Sequence, residues 1–114
     1  MEININCDLG EKSKHHSNKH DPELLKIVNS ANIACGYHAG DEETMNQVIE
    51  ISKKNGVSIG AHPSFNDPEN FGRERMNLSS LEVRRLIIDQ YEILQKVASK
   101  YQENITHIKP HGAL

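Results

Sequence analysis

The sequence lacks several features that would place it in a special class of protein. It has no Trp, no apolar run near the ~20 residues that a membrane-spanning helix needs, and no basic segment followed by an apolar one at its start. It has 13 basic against 16 acidic residues, a net charge of −3, and no arginine-rich stripe with interleaved aromatics. These absences argue against a membrane protein, a secretory signal and nucleic-acid binding. We therefore expect a soluble, cytoplasmic protein whose residues 1–114 form a single small domain.

Motifs of several common enzyme classes are also absent. No GxxxxGK[ST], GxGxxG or GxSxG sequence occurs, so a P-loop, dinucleotide redox chemistry and a serine triad are poorly supported. The two cysteines, Cys7 and Cys35, lack CxxC spacing and are too few for a disulfide scaffold. We expect both to be reduced, buried thiols.

The chain does contain a regular alternation of short apolar runs with helical patterns. This order favours βαβ units and a parallel sheet. Strands are predicted at residues 3–8, 31–36, 57–62 and 105–109. The helices between them are predicted to begin at Pro22 after an Asp21 N-cap, at an Asp41 N-cap, and at a capping box formed by Ser79 and Glu82. The predicted fold class is α/β with the order βαβαβαβ.

The two faces of each predicted strand differ, because side chains alternate across a strand. One face carries apolar residues: Ile3, Ile5, Cys7, Ile33, Cys35, Val57, Ile59 and Ala61. The other face is small or polar and leads, at the C-terminal ends of the strands, to Asp8, His38, His62, Lys109 and His111. A narrow polar face fits a closed or partly closed barrel, and barrel enzymes place their chemistry at these strand ends. A structural histidine is the alternative at each single position, but four converging strand ends favour an acid–base site.

Two loops add candidates whose alternatives stay open. Arg73, in the segment Phe71-Gly72-Arg73, could hold a carboxylate or phosphate through two hydrogen bonds, or could simply be solvated. Segment 11–20 is rich in Lys and His, and it is interpreted as a flexible, solvated loop rather than a metal-binding tract.

The candidate residues stand in longer motifs that make the sequence recognisable. These are NCDLGE at 6–11, SANIACGYHAGD at 30–41, GAHP at 60–63, FGR at 71–73 and KPHGAL at 109–114. In this order they closely resemble the motifs of the LamB/YcsF family, the A subunit of the prokaryotic 5-oxoprolinase. The resemblance spans the entire chain.

The resemblance implies a hydrolase that opens the lactam of 5-oxo-L-proline to give L-glutamate, with coupled ATP hydrolysis and with B and C partner subunits. It also implies an irregular TIM-like β/α barrel, similar to that of polysaccharide deacetylases. By motif position, the residues expected to be catalytic are Asp8, His38, His62, Lys109 and His111. Those expected to bind substrate or phosphate are Asn6, Glu11, Asn32 and Arg73.

Two other functions remain open at this point. One is a metal-dependent amidohydrolase or deacetylase, in which Asp8, His38 and His62 hold a divalent metal through a mixed N/O ligand set. The other is an inactive fragment that only binds partner subunits.

The sequence also departs from the family pattern. Lys12-Ser13-Lys14 follows Glu11 where the family usually has a glycine-containing stretch, Ser64 replaces a common glycine, and Glu74 replaces a common arginine. A complete β/α barrel needs about 250 residues, so we expect the N-terminal half of one. Four parallel strands cannot close a barrel, which predicts that the chain self-associates and has no oxoprolinase activity alone.

Overall fold

A computed structural model describes residues 2–114 and contains a parallel sheet of four strands in the order β1-β2-β3-β4. The strands are β1 (Asn6–Leu9), β2 (Ser30–Ala34), β3 (Ser58–His62) and β4 (His107–Ile108), and the helices are α1 (Asp21–Leu24), α2 (Glu42–Lys54) and α3 (Ser80–Ser99). A helix separates each strand from the next, so the predicted α/β class and its βαβαβαβ order are confirmed. Within the described residues, no helix is long and apolar enough to cross a membrane.

The hydrophobic core lies between one face of the sheet and helices α2 and α3. Ile33 of β2 and Ile59 of β3 are at most 2% exposed, and they share this core with Ile49 of α2 and Leu94 of α3. The two strand residues lie on the face that the alternation predicts to be apolar. Cys35 belongs to the same core, where burial raises the pKa of its thiol to about 12. This cysteine is a reduced core residue, as expected.

Both edges of the sheet are shorter than the sequence predicts. β1 begins at Asn6, and Ile3 and Ile5 precede it with 74% and 48% of their surface exposed. They do not join the core, so their assignment to a buried apolar face is wrong. β4 has only two residues, and Ile105 precedes it. Ile105 packs against the core instead of extending the polar face, because alternation applies only within a strand.

The predicted N-cap is correct for α2 and wrong for α1. Asp41 caps α2 by accepting the backbone N–H of Thr44 at 2.7 Å, as predicted. Asp21 is the first residue of α1 rather than its N-cap, and its carboxylate accepts the backbone N–H of Gly10 at 2.8 Å. Asp21 therefore ties α1 to the loop after β1, which is a tertiary contact that a capping rule does not anticipate.

The predicted capping box starts α3 and gives a stability prediction. Ser79 Oγ accepts the Glu82 N–H at 3.2 Å, and Glu82 Oε2 accepts the Ser79 N–H at 2.7 Å. Ser79→Ala is expected to lower the free energy of unfolding, measured by urea denaturation, by about 1 kcal/mol. The control Ser80→Ala changes an exposed residue inside the helix and should stay within about 0.5 kcal/mol of the parent chain. Equal losses in the two variants would contradict the capping role.

Candidate active site

A row of polar residues crosses the sheet on the face opposite the core. Asp8, Asn32, Gly60 and His107 are successive register partners from β1 to β4. Asn32 Nδ2 donates to Asp8 Oδ1 at 3.1 Å and to Asn6 Oδ1 at 2.9 Å. Asn32 Oδ1 accepts a hydrogen bond from His107 Nε2 at 2.8 Å. The small or polar face expected from the sequence is therefore a connected hydrogen-bond network.

Gly60 makes the central part of this network possible. A Cβ at this position would overlap the imidazole of His107, so the missing side chain lets that ring cross β3 and reach Asn32. The sequence patterns do not single out His107 as a site residue. Its signal in the sequence is the glycine itself, since an isolated glycine in a strand often marks the close approach of another group.

An ion pair lies at the C-terminal end of β1. Lys109 Nζ is 2.8 Å from Asp8 Oδ1, and both side chains are partly exposed. Burial raises the pKa of Asp8, but the hydrogen bonds from Lys109 and Asn32 and the nearby His62 outweigh it, so the net pKa is below the usual value. Asp8 is therefore an anion at neutral pH. Lys109 also lines a groove of about 290 Å³ together with Asn6, Asn32 and His107.

Four buried side chains converge beyond this pair and are here called the histidine cluster: Glu11, His38, His62 and His111. One potential ligand atom from each lies within 4.8 Å of those from the others. His38 Nε2 is 2.6 Å from Glu11 Oε2, and His62 Nε2 is 3.0 Å from His111 Nδ1. Each residue comes from the end of a different strand or from the segment after it, so the three histidines meet where the strand pattern places them.

Asp8 stands beside the histidine cluster rather than within it. Its Oδ2 is 3.5 Å from His62 Nε2, while its Oδ1 is held by Lys109. The sequence predicts Asp8, His38 and His62 as candidate metal ligands. The structure groups His38 and His62 with Glu11 and His111 and leaves Asp8 at the edge of the group.

Backbone carbonyls fix the proton positions on two of the rings. His62 Nδ1 bonds to the Lys109 carbonyl at 2.6 Å, and His111 Nε2 bonds to the Phe71 carbonyl at 2.8 Å. Because a carbonyl oxygen only accepts, each of these nitrogens carries a proton. In the neutral rings, His62 Nε2 and His111 Nδ1 therefore present lone pairs to each other across 3.0 Å.

The buried environment determines the charges within the histidine cluster. Burial lowers the pKa of His62 below its usual value, although a backbone carbonyl and the nearby carboxylates act in the opposite direction. Burial also lowers the pKa of His111. Burial raises the pKa of Glu11, but its hydrogen bond with His38 and the positive charge that the three imidazoles carry when protonated outweigh it, and the net pKa is lowered. At neutral pH an anionic carboxylate therefore faces neutral His62 and His111.

The loop at residues 71–73 covers one side of the histidine cluster. The ring of Phe71 is buried, with its centroid 5.0 Å from those of His38 and His111. Gly72 has a φ of +65°, and a Cβ there would lie 3.0 Å from His38 Cβ, so a side chain would push the loop outward. Arg73 is exposed, with its guanidinium carbon 5.0 Å from the centroid of the Phe71 ring. The guanidinium therefore lies at the surface, one aromatic ring away from the cluster.

Gln90 is a positioning residue that the sequence patterns did not single out. This α3 residue is fully buried, accepts the Ser64 N–H at 3.0 Å and donates to the Ser64 carbonyl at 2.8 Å. It therefore fixes the loop that follows His62. Its only signal in the sequence is a polar residue close to the apolar face of a long helix.

Segment 11–20 is more ordered than a flexible, solvated loop. Much of it is exposed, but Glu11 is buried in the histidine cluster and Lys14 pairs with Glu69. His15 Nε2 also bonds to the Glu69 carbonyl at 2.8 Å. Contacts distant in sequence hold the segment, and a composition rich in Lys and His does not reveal them.

The chain is an α/β protein with a parallel sheet, and its acid–base side chains lie at the C-terminal ends of the strands, where α/β enzymes of the barrel type carry their active sites. Within this class, the LamB/YcsF family model matches residues 3–114, and the chain belongs to that family.

Individual relatives support the same assignment. The chain is 45% identical over all 114 residues to the A subunit of 5-oxoprolinase from Staphylococcus epidermidis and covers 45% of that protein. The protein of the same name from Staphylococcus haemolyticus is also 45% identical, with 46% covered. The crystal structure of a lactam utilization protein from Thermus thermophilus matches 99% of this chain, with a TM-score of 0.93 and 37% identity. The matched part is 46% of the Thermus thermophilus chain. The chain thus spans less than half the length of these relatives.

Proposed function

We propose that this chain supplies the hydrolytic site of an ATP-dependent 5-oxoprolinase, which opens the lactam of 5-oxo-L-proline to L-glutamate. The observation that carries the proposal is the match, at 45% identity along the whole chain, to a protein named as the A subunit of 5-oxoprolinase. The site has suitable chemistry, since buried acid–base groups lie beside a partly exposed Asp8–Lys109 pair. The relatives' name designates one component of a larger assembly, and the proposal therefore includes B and C subunits as partners.

Opening a lactam requires a water molecule to add to the carbonyl carbon of a poorly electrophilic amide. The C–N bond then breaks, the ring nitrogen takes a proton, and a carboxylate and an amino group form. ATP, when bound, would supply the activation by phosphorylating the amide oxygen with release of ADP, and the phosphate would leave as inorganic phosphate once water has added. Lys109, whose Nζ is partly exposed beside Asp8, would stabilise the negative charge on the phosphate or oxyanion. Arg73, exposed near the cluster, is the second candidate for this role.

Asp8 and His62 are the proposed groups that position and deprotonate the attacking water. Asp8 Oδ2 and His62 Nε2 are 3.5 Å apart, so one water could contact both. Burial keeps the His62 ring neutral, and a neutral ring can accept a proton. His38 fits this role less well, because its Nε2 is already bonded to Glu11 at 2.6 Å.

A metal-dependent amidohydrolase is the second candidate function. It is favoured by the convergence of three imidazoles and one carboxylate in the histidine cluster. A divalent cation held there would supply Lewis-acid polarisation of the amide carbonyl. The two candidates differ in whether hydrolysis requires ATP.

A chimera tests the proposed function. The matching segment of the Staphylococcus epidermidis relative is replaced by residues 1–114 of this chain, and the product is assayed with B and C subunits for glutamate release from 5-oxo-L-proline. We expect turnover that requires both ATP and the partner subunits. Turnover without ATP would favour the amidohydrolase. No turnover in a chimera that unfolds at the same temperature as its active parent would reject the proposal.

A further inference from the structure

We propose that the histidine cluster binds a divalent transition-metal cation, with Glu11, His38, His62 and His111 as its ligands. Three imidazoles and one carboxylate form a mixed N/O set that suits Zn²⁺ and its first-row neighbours. The inference concerns binding alone. It goes beyond the proposed lactam hydrolysis and does not depend on which amide the protein opens. A cation on His62 Nε2 would occupy the lone pair that accepts the proton from water in the proposed hydrolysis, so in the metal-bound chain Asp8 alone would be the base.

The facing lone pairs of His62 Nε2 and His111 Nδ1 are the observation that points to a cation. Both rings have their protons fixed on the opposite nitrogens by backbone carbonyls. Two lone pairs 3.0 Å apart repel each other unless a proton or a metal ion lies between them. The two lone pairs are therefore satisfied either by a proton shared between the rings or by a metal ion bound to both.

A shared proton is the less favourable of these two ways. It would create an imidazolium in a site where His62 is 1% exposed and His111 6% exposed. The ring of His111 also stacks on that of His38 at 3.8 Å, which leaves little room for water around the charge. Burying such a charge is costly. A metal ion instead accepts both lone pairs, and the Glu11 carboxylate balances part of its charge.

The spacing of the ligand atoms suits a metal ion. With metal–ligand bonds of about 2.0–2.1 Å, tetrahedral geometry places ligand atoms about 3.3 Å apart. Glu11 Oε2 is 2.6 Å from His38 Nε2, 3.5 Å from His111 Nδ1 and 3.8 Å from His62 Nε2. With the 3.0 Å between His62 and His111, four of the six separations lie on both sides of this value. The shortest of them is the hydrogen bond from His38 to Glu11, so binding moves the His38 proton from Nε2 to Nδ1, a buried atom that has no other partner among the described residues.

The surroundings of the histidine cluster also resemble those of a metal site. Histidines that bind metals usually donate their other N–H to a carbonyl or carboxylate, which fixes the ring and its tautomer. The carbonyls of Lys109 and Phe71 do this for His62 and His111. All four proposed ligands are buried, so the folded chain already holds them together.

The test titrates the 114-residue chain with Zn²⁺ and measures the binding by isothermal titration calorimetry. We expect one saturable site per chain. Glu11→Gln removes the anionic ligand with little change of shape, and His62→Asn removes Nε2 but keeps a donor for the Lys109 carbonyl. Each is expected to weaken binding about tenfold or more. The matched control replaces the exposed pair His15 and His16 by Gln, outside the cluster, and should leave the affinity unchanged.

Cobalt provides a second readout that does not depend on the variants or on activity. Co²⁺ bound by the unaltered chain should give the visible absorption bands of a four-coordinate site, and Zn²⁺ should displace them. A folded chain that shows no saturable Zn²⁺ binding would overturn the inference. Binding that is lost in the His15/His16 variant and kept in both cluster variants would do the same. Either result, together with ATP-dependent turnover by the chimera, would leave the proposed hydrolysis standing.

Discussion

His62→Asn is expected to lower ATP-dependent turnover of 5-oxoproline by the chimera about 10²–10⁴-fold, the usual range for the loss of a general base. Asn can still donate to the Lys109 carbonyl, a bond that His62 Nδ1 makes at 2.6 Å. It cannot replace Nε2, which faces Asp8 Oδ2 at 3.5 Å and would receive the proton from water. Steady-state assays of glutamate release should show the loss mainly in kcat rather than in KM.

The choice of Asn over Ala follows from the burial of this residue. A position at the end of a strand suggests that the side chain contributes little to packing, but His62 is 1% exposed and its ring contacts those of His38 and His111. His62→Ala would leave a cavity and an unsatisfied buried carbonyl, and both lower stability. His15→Asn, at an exposed histidine, is the control and should retain normal turnover. Normal turnover by a folded His62→Asn chimera would remove His62 from the mechanism.

Two features could be predicted from the sequence: the core residues of the central strands, and the end of the sheet that carries the site. Both follow from the regular geometry of parallel strands. Within β2 and β3, the alternation of side chains correctly separates Ile33 and Ile59, which lie in the core, from Asn32 and His62, which lie on the polar face. Parallel strands also bring their C-terminal ends to one edge. The meeting of His38, His62 and His111 follows from these two rules, whereas their chemical roles remain predictions.

The sequence could not reveal contacts that are made outside regular elements. Glu11 enters the histidine cluster because the chain turns at Gly10, where φ is +71°, and because Asp21 binds the Gly10 N–H. Neither contact has a periodic signal. The same limit explains Ile105, whose parity places it on the polar face although it packs against the core before β4 begins. Strand faces were therefore predictable from alternation, and loop contacts were not.

The 114-residue chain is expected to self-associate at micromolar concentration. Within residues 2–114, β1 and β4 are the two edges of an open sheet, and each pairs with only one neighbouring strand. The outer side of an edge strand offers backbone N–H and C=O groups to another chain. Apolar side chains lie beside both edges, since Ile3, Ile5 and Ile108 are 74%, 48% and 46% exposed. Pairing of edges between two copies would bury these side chains and satisfy the backbone groups.

Sedimentation velocity can test this expectation, because a monomer has a mass of 12.9 kDa and any pairing at least doubles it. Lysine on an edge strand opposes pairing, so Ile108→Lys, in the edge strand β4, should shift the chain toward monomer. The control Ile27→Lys changes a residue that is 68% exposed but lies after α1 and outside the sheet, and it should associate like the parent chain. A strictly monomeric parent chain would contradict the prediction. Association abolished equally by both substitutions would show that general apolar contact, and not an edge of the sheet, joins the copies.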